Sequence, residues 1–220
     1  MQKIDKTQIF STAYKNWEEG FYDNHPFYNS SNGKYYYDVV MNLFHCQKGV
    51  CAYSEISLCD DEYYQFELWD NGKYCSQKPE FSGALDHFDP NLKPTQGWLW
   101  SNFFMVSKDI NDKHKREKAV DYILKPDLSD YDPFKLLEYD NQLHVFIANT
   151  ELDEILQQRI NDMLVVLGIN LSWVVKSRKN HLRRIIEKIQ SGLGNWEHES
   201  AVNHQFFTAL EMCRQKMQES

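Results

Sequence analysis

Asp86, His87, Asn102 and Asn111 bring a carboxylate, an imidazole and two carboxamides into one stretch, Ala84 to Lys118. Imidazole is the side chain whose unperturbed pKa lies nearest neutrality, so His87 is suited to take a proton from water. Asp86 and Asn111 offer hard oxygen donors, and Mg²⁺ takes one or two such protein ligands while leaving its other positions to water and phosphate. The combination suits hydrolysis of a phosphodiester bond. The same residues admit a plainer reading, in which Asp86-His87 is a turn with a solvated imidazole and the two asparagines only cap structure.

Side chains used this way need a frame of strand, loop, strand and helix. Ala84-Leu85 leads as an apolar run into Asp86-His87. Asp89-Pro90 must end that run, because proline has no N–H for a ladder and restrains the residue before it. The chain then loops through Pro94 and Gly97. Phe103 to Val106 is a second strand-like run, and Asp109 is expected as the N-cap of a charged helix with Asn111 in its first turn.

An Asp-His pair, a central Asn and an Asn opening a helix resemble the ββα-metal motif of the HNH endonucleases. The resemblance implies that Asp86 and Asn111 hold one divalent ion, Mg²⁺ or Mn²⁺, that His87 is the general base, and that Asn102 ties down the loop. His114, one turn beyond Asn111, is a further candidate for the metal or a phosphate. Lys108, Lys113, Lys115, Arg116 and Lys118 would face nucleic acid. Three other stretches are similar to one subgroup, the PtuB-like endonucleases that accompany retrons and Septu-type anti-phage systems. They are Cys51-Ala-Tyr-Ser-Glu55 before the motif, Asp127 to Asp140 around Asp132-Pro133 after it, and Asn161 to Arg178 with Leu167-Gly-Ile-Asn-Leu171. This implies the nuclease effector subunit of a bacterial defence system, cutting DNA or RNA beside a PtuA-like ATPase subunit, alone or within a retron complex.

Many HNH relatives carry paired Cys-x-x-Cys knuckles around the motif. Ser54, Ser107 and Ile110 stand where partner cysteines would fall here, so a structural zinc is not expected. That departure keeps two alternatives open. One is a partner-binding module that retains the HNH fold without nuclease activity, and the other is a zinc scaffold using His45, Cys46, Cys51 and Cys59.

A chain of 220 residues with 42% hydrophobic and 15% aromatic content can bury a substantial core, which excludes a disordered chain. No apolar run reaches membrane length, and Met1-Gln-Lys-Ile-Asp5 opens no signal-peptide core, so a cytoplasmic protein with no membrane partner is expected. Five cysteines, an odd number, fit a reducing compartment better than a disulfide framework. The net charge of −8 counts against a nucleic-acid enzyme, because phosphate binding draws on a basic face. Two stretches run the other way: residues 108–118 carry +2 and residues 171–190 carry +5. A solvated helix face would look the same, and an acidic nuclease subunit would take part of its substrate grip from a partner.

The expected class is α+β, with the HNH motif at 84–120 embedded in a mostly helical domain. Residues 1–50 should form a helical N-terminal region, 51–148 the nuclease core, and 149–220 a set of C-terminal helices packing on the core or a partner. Phe10, Tyr14 and Trp17 repeat at helical spacing before Gly20, residues 29–33 are turn-like, and Tyr36, Val39, Val40 and Leu43 share one helical face. Tyr63 to Trp69 alternates like a strand ahead of an Asp70-Asn-Gly72 turn, and Gln142 to Ile147 is another strand. Thr150-Glu-Leu-Asp153 resembles a capping box ahead of a helix with an apolar stripe, Leu152, Ile155, Leu156, Met163, Leu164 and Leu167, that stops at Gly168. Two more helices are expected, from Asn170 to Gly192 or Gly194 and from about Glu197 to Met217.

Overall fold

Apolar residues at helical spacing build the first elements, and a single buried glutamine joins them to a strand. The computed structural model describes residues 1–22, 24–29, 33–77 and 79–218 and has an α+β architecture. Its contacts divide into two units, residues 4–52 with 57–120, and residues 1–3 with 53–56 and 121–220.

The first unit begins with α1 (Thr12–Glu19) and α2 (Tyr36–Gln47). Val39, Val40, Met41, Leu43 and Phe44 are fully buried, so the expected α2 face is the core face. Trp69–Asp70 (β1) and Lys73–Tyr74 (β2) then form a small hairpin. Its turn places Asn71 at φ 49° and Gly72 at φ 73°, the left-handed pair that an Asn-Gly dipeptide supplies at least cost. The strand expected over Tyr63 to Trp69 is present only at Trp69, and the residues before it are corrected to two short 3₁₀ turns, Asp61–Tyr63 and Phe66–Leu68. Ahead of the β1–β2 pairing, the backbone donors of Tyr64 and Leu68 close locally onto Asp61 and Gln65. The turn expected at residues 29–33 falls partly on Ser30, Ser31 and Asn32, which lie outside the described residues.

Ala84–His87 (β3) pairs antiparallel with Phe103–Val106 (β4), with Ala84 opposite Val106 and His87 opposite Phe103. The loop between them holds the short α3 (Lys93–Gln96). All four β4 residues are buried, and α2 packs against this strand. The joint is Gln47, whose Nε2 donates to the Met105 and Val50 carbonyls at 2.8 Å each and whose Oε1 accepts the Met105 N–H at 2.8 Å. Beneath the same strand the Lys6 ammonium donates to the carbonyls of Trp100 and Phe103 and lies 4.4 Å from the Phe104 ring centroid. After β4 the chain winds into a π-helical turn, Ile110–Lys115. Asp109, expected as its N-cap, is itself helical at φ −65° and ψ −35° and bonds no backbone N–H. Its carboxylate instead pairs with Lys113 at 2.6 Å.

The second unit contains α4 (Pro133–Leu136), the hairpin of β5 (Leu137–Asp140) and β6 (Val145–Ala148), and four further helices, α5 (Glu154–Val166), α6 (Ser172–Gln190), α7 (Trp196–Val202) and α8 (Phe207–Gln218). Several expected boundaries move. Gln142 to His144 form the hairpin turn rather than strand, with His144 at φ 60°. Asp153, not Thr150, caps α5 by accepting the Leu156 N–H, while Thr150 bonds Glu138. Ile155 is 77% exposed and leaves the apolar stripe. Asn170 does not open α6; its carboxamide pairs with the N–H and carbonyl of Phe146 in β6. The long last helix breaks into α7 and α8 at Phe206, whose φ is 54°. Arg178 is buried, donating to the carbonyls of His144 and Ile169 with its guanidinium 4.7 Å from the Phe146 ring.

Replacing Gln47 by Leu leaves the Met105 N–H without its acceptor in a closed core. Urea denaturation of Gln47→Leu should show a loss of about 2 kcal/mol, the cost of one buried unsatisfied polar group.

Candidate active site

Asp86, His87 and Asn111 line one open cleft of about 820 Å³ within the first unit, together with Tyr28, Tyr36 and Lys93. Asp112, Arg116, Glu117 and Lys118 complete its polar rim. The strand pair supplies Asp86 and His87 at the end of β3, and the π-helical turn supplies Asn111.

His87 is 6% exposed, and its Nε2 lies 2.8 Å from the Gly97 carbonyl. A carbonyl can only accept, so Nε2 carries the proton and Nδ1 is the basic nitrogen. The Tyr28 ring stands edge-on at 4.6 Å and the Phe103 ring at 4.9 Å, fixing the imidazole plane. Burial pushes the His87 pKa down to about 4, the Gly97 contact opposes that, and the charges of Lys93 and Lys115 add to it. Gly97 has to be glycine for this approach, since a Cβ there would stand 2.9 Å from Tyr28 Cβ and 2.8 Å from the Lys93 carbonyl.

Asn102 does not line the cleft; it closes the loop that leaves β3. Its Oδ1 accepts the Asp89 N–H at 2.8 Å, its Nδ2 donates to the Asp89 carbonyl at 2.9 Å, and its own carbonyl accepts the Phe88 N–H at 2.8 Å. One 2% exposed carboxamide therefore replaces a ladder pair where the strands part. Asn111 is half-buried and donates to Asp112 Oδ1 at 3.0 Å. His114 is half-buried and is not among the residues lining the cleft.

The five basic residues expected to face nucleic acid do not behave alike. Lys108, Lys113, Arg116 and Lys118 are exposed, whereas Lys115 is fully buried. Its ammonium donates to Asp86 Oδ1 at 3.1 Å and to the His87 carbonyl at 2.8 Å, and lies 3.0 Å from Asp86 Oδ2. The expectation for Lys115 is thus corrected: its ammonium is committed to Asp86 and the His87 carbonyl inside the protein. Lys115 is four residues beyond Asn111, so a helical turn that aims Asn111 at the strands aims Lys115 there as well. That spacing was the available signal. Tyr28 and Tyr36 join the cleft from a distant segment that no local spacing marks, and Lys93 joins it from the loop after β3.

The chain matches no family model, and no curated protein matches it. What the site can do therefore rests on its geometry.

Asp86 and Asn111 fit a hard divalent cation in kind, as carboxylate and carboxamide oxygens at one cleft. Lys115 already sits against both Asp86 oxygens, but each oxygen has a second lone pair, so a cation there would share the carboxylate with the ammonium or displace it. The alternative zinc set is not assembled. His45 bonds the Tyr64 carbonyl and Gln8, and Cys51 Sγ accepts the Ser107 N–H. No three His, Cys, Asp or Glu side chains converge on a metal position among the described residues.

Two outcomes follow from this geometry. Lys115→Met removes the ammonium paired with the buried Asp86 carboxylate and should cost about 3–5 kcal/mol in chemical denaturation, whereas Lys118→Ala should stay within about 0.5 kcal/mol of wild type. The second concerns pH. His87 stays neutral in the fold down to about 4, while an unfolded imidazole titrates near 6.5. Between those values the unfolded chain binds the extra proton, so stability falls as pH drops through this window, by roughly 3 kcal/mol in full. The pH dependence of unfolding should accordingly be shallower in His87→Gln than in wild type between pH 6.5 and 4.

Proposed function

We propose that the cleft is a phosphodiester-hydrolysing site of the HNH kind. The observation that carries this reading is the state of His87, a neutral imidazole at a polar cleft with Nε2–H tied to the Gly97 carbonyl and Nδ1 left as the base. His87 would draw the proton from an attacking water at Nδ1. Lys93, Arg116 and Lys118, all lining the cleft, would hold the phosphate backbone. Asp86 and Asn111 would bind Mg²⁺ or Mn²⁺, which when bound supplies positive charge to the phosphoryl and leaving oxygens. Asn102 would act as a positioning residue by keeping the loop closed behind His87.

The wider reading is that of an endonuclease effector of an anti-phage system working beside an ATPase subunit in the cytoplasm. The net charge of −8 supports a partner that shares the substrate grip. No helix among the described residues is long and apolar enough to cross a membrane.

A second reading is favoured by one contact. Lys115 makes Asp86 part of a buried ion pair, which is what a partner-binding module with no nuclease activity would keep for folding alone.

Incubation of plasmid DNA and total RNA with Mg²⁺ or Mn²⁺, with and without the ATPase partner, separates the two. Wild type should cut, and His87→Ala should lose about 10²-fold or more of the rate while staying folded. Cutting by His87→Ala at the wild-type rate would remove the nuclease assignment, and a folded wild type that cuts nothing would favour the module.

A further inference from the structure

A different surface carries an inference that does not depend on chemistry at His87. The second unit, residues 1–3, 53–56 and 121–220, has a formal charge of −4, from twelve cations and sixteen anions. Its helix α6 holds six of those cations and one of the anions, so α6 is +5 and the remainder of the unit is −9. The charge is segregated by face as well as by element. Val174, Arg178, Leu182 and Ile185 are buried, and Lys176, Lys179, Arg183 and Arg184 are exposed on the other side. Lys188 is held by Glu199 at 2.5 Å, and the one acid of α6, Glu187, pairs among the described residues only with Arg183, at 3.8 Å. Lys176 and Lys179 have no ion-pair partner among the described residues.

Unneutralised cations on a helix within an acidic unit raise the local positive potential and orient the unit toward a polyanion. From Lys176 to Arg184 the helix spans about 12 Å, enough to meet several phosphates of a strand that carries one about every 3.4 Å. Trp173, 38% exposed, stands one turn before Lys176 on the same side and offers a ring for a base to stack on. An anionic membrane fits less well, because the apolar face that would enter it is the one buried in the unit.

We propose that the exposed face of α6 binds the phosphodiester backbone of nucleic acid through Lys176, Lys179, Arg183 and Arg184. The binding is electrostatic and independent of base sequence, and it gives an acidic chain a grip of its own on its ligand.

The test is fluorescence anisotropy of the full chain with labelled duplex DNA, single-stranded DNA and RNA across a salt series. The fourfold variant Lys176→Gln, Lys179→Gln, Arg183→Gln, Arg184→Gln should bind at least about tenfold more weakly at low salt, with a log K against log salt slope shallower by about 3. If that variant unfolds, Lys176→Gln with Lys179→Gln carries the same test with a slope change of about 1.5 to 2. Lys135→Gln, an exposed lysine of the same unit outside α6, should bind as wild type does, and anisotropy reads binding rather than cleavage, so failure of catalysis and failure of this surface are read separately. Unchanged affinity and slope in a folded variant would overturn the proposal. So would wild type binding none of the three ligands, or poly-glutamate displacing DNA as well as competitor DNA does at equal charge, which would make the face a site for acidic proteins.

Discussion

An ammonium with three oxygen partners and no exposed surface has one position available to it, and Lys115 is held in that state. The two ends of its bonds belong to different elements, the π-helical turn and β3, so the pair fixes the angle at which that turn meets the strand. Burying both charges brings little net stability, since desolvation offsets most of their attraction, but separating them would leave a buried charge without its counter-ion. Geometry is thereby set more strongly than energy. The same bond makes Asp86 formally neutral toward the cleft, where Lys93, Arg116 and Lys118 then outnumber Asp112 and Glu117.

His87 is shaped by two opposed influences. Packing against Tyr28 and Phe103 removes water and weakens the imidazole as a base, while the Gly97 carbonyl favours the protonated ring and selects which nitrogen stays free. A solvated histidine would be the stronger base but would rotate and exchange tautomers. The site gives up basicity for a fixed orientation, and the loop that provides Gly97 is kept in place by Asn102.

Local pattern revealed much of this arrangement. The strands at 84–87 and 103–106, the Asn-Gly hairpin and the apolar face of α2 follow from residue type and period, because each is decided by neighbours in sequence. The Tyr63 to Leu68 stretch misled, since alternation describes which side chains are apolar and not whether a second strand is available to pair. The break between α7 and α8 was hidden for a similar reason: its apolar spacing continues through Phe206, whose left-handed backbone no composition signals. At the site, Asp86, His87 and Asn111 meet at one cleft as their order along a strand–loop–strand–helix frame suggests. Charge was the poorer guide. Lys115 and Arg178 were counted among surface cations, yet both are buried, because a long side chain on the inward face of a helix can find carbonyl partners that sequence does not display.

Strands β3 and β4 form a sheet of only two, and such a pair ordinarily leaves a row of backbone groups open to any other strand that drifts past. Gln47 answers this at Met105 by presenting an amide from its side chain where a third strand would present one from its backbone, and the Ala52 N–H adds a second bond to the Met105 carbonyl at 3.0 Å. The outer edge of β4 is sealed at that point by a helix rather than by more sheet. A strand pair of eight residues with four consecutive buried apolar side chains on one strand is in this way closed to a third strand at Met105.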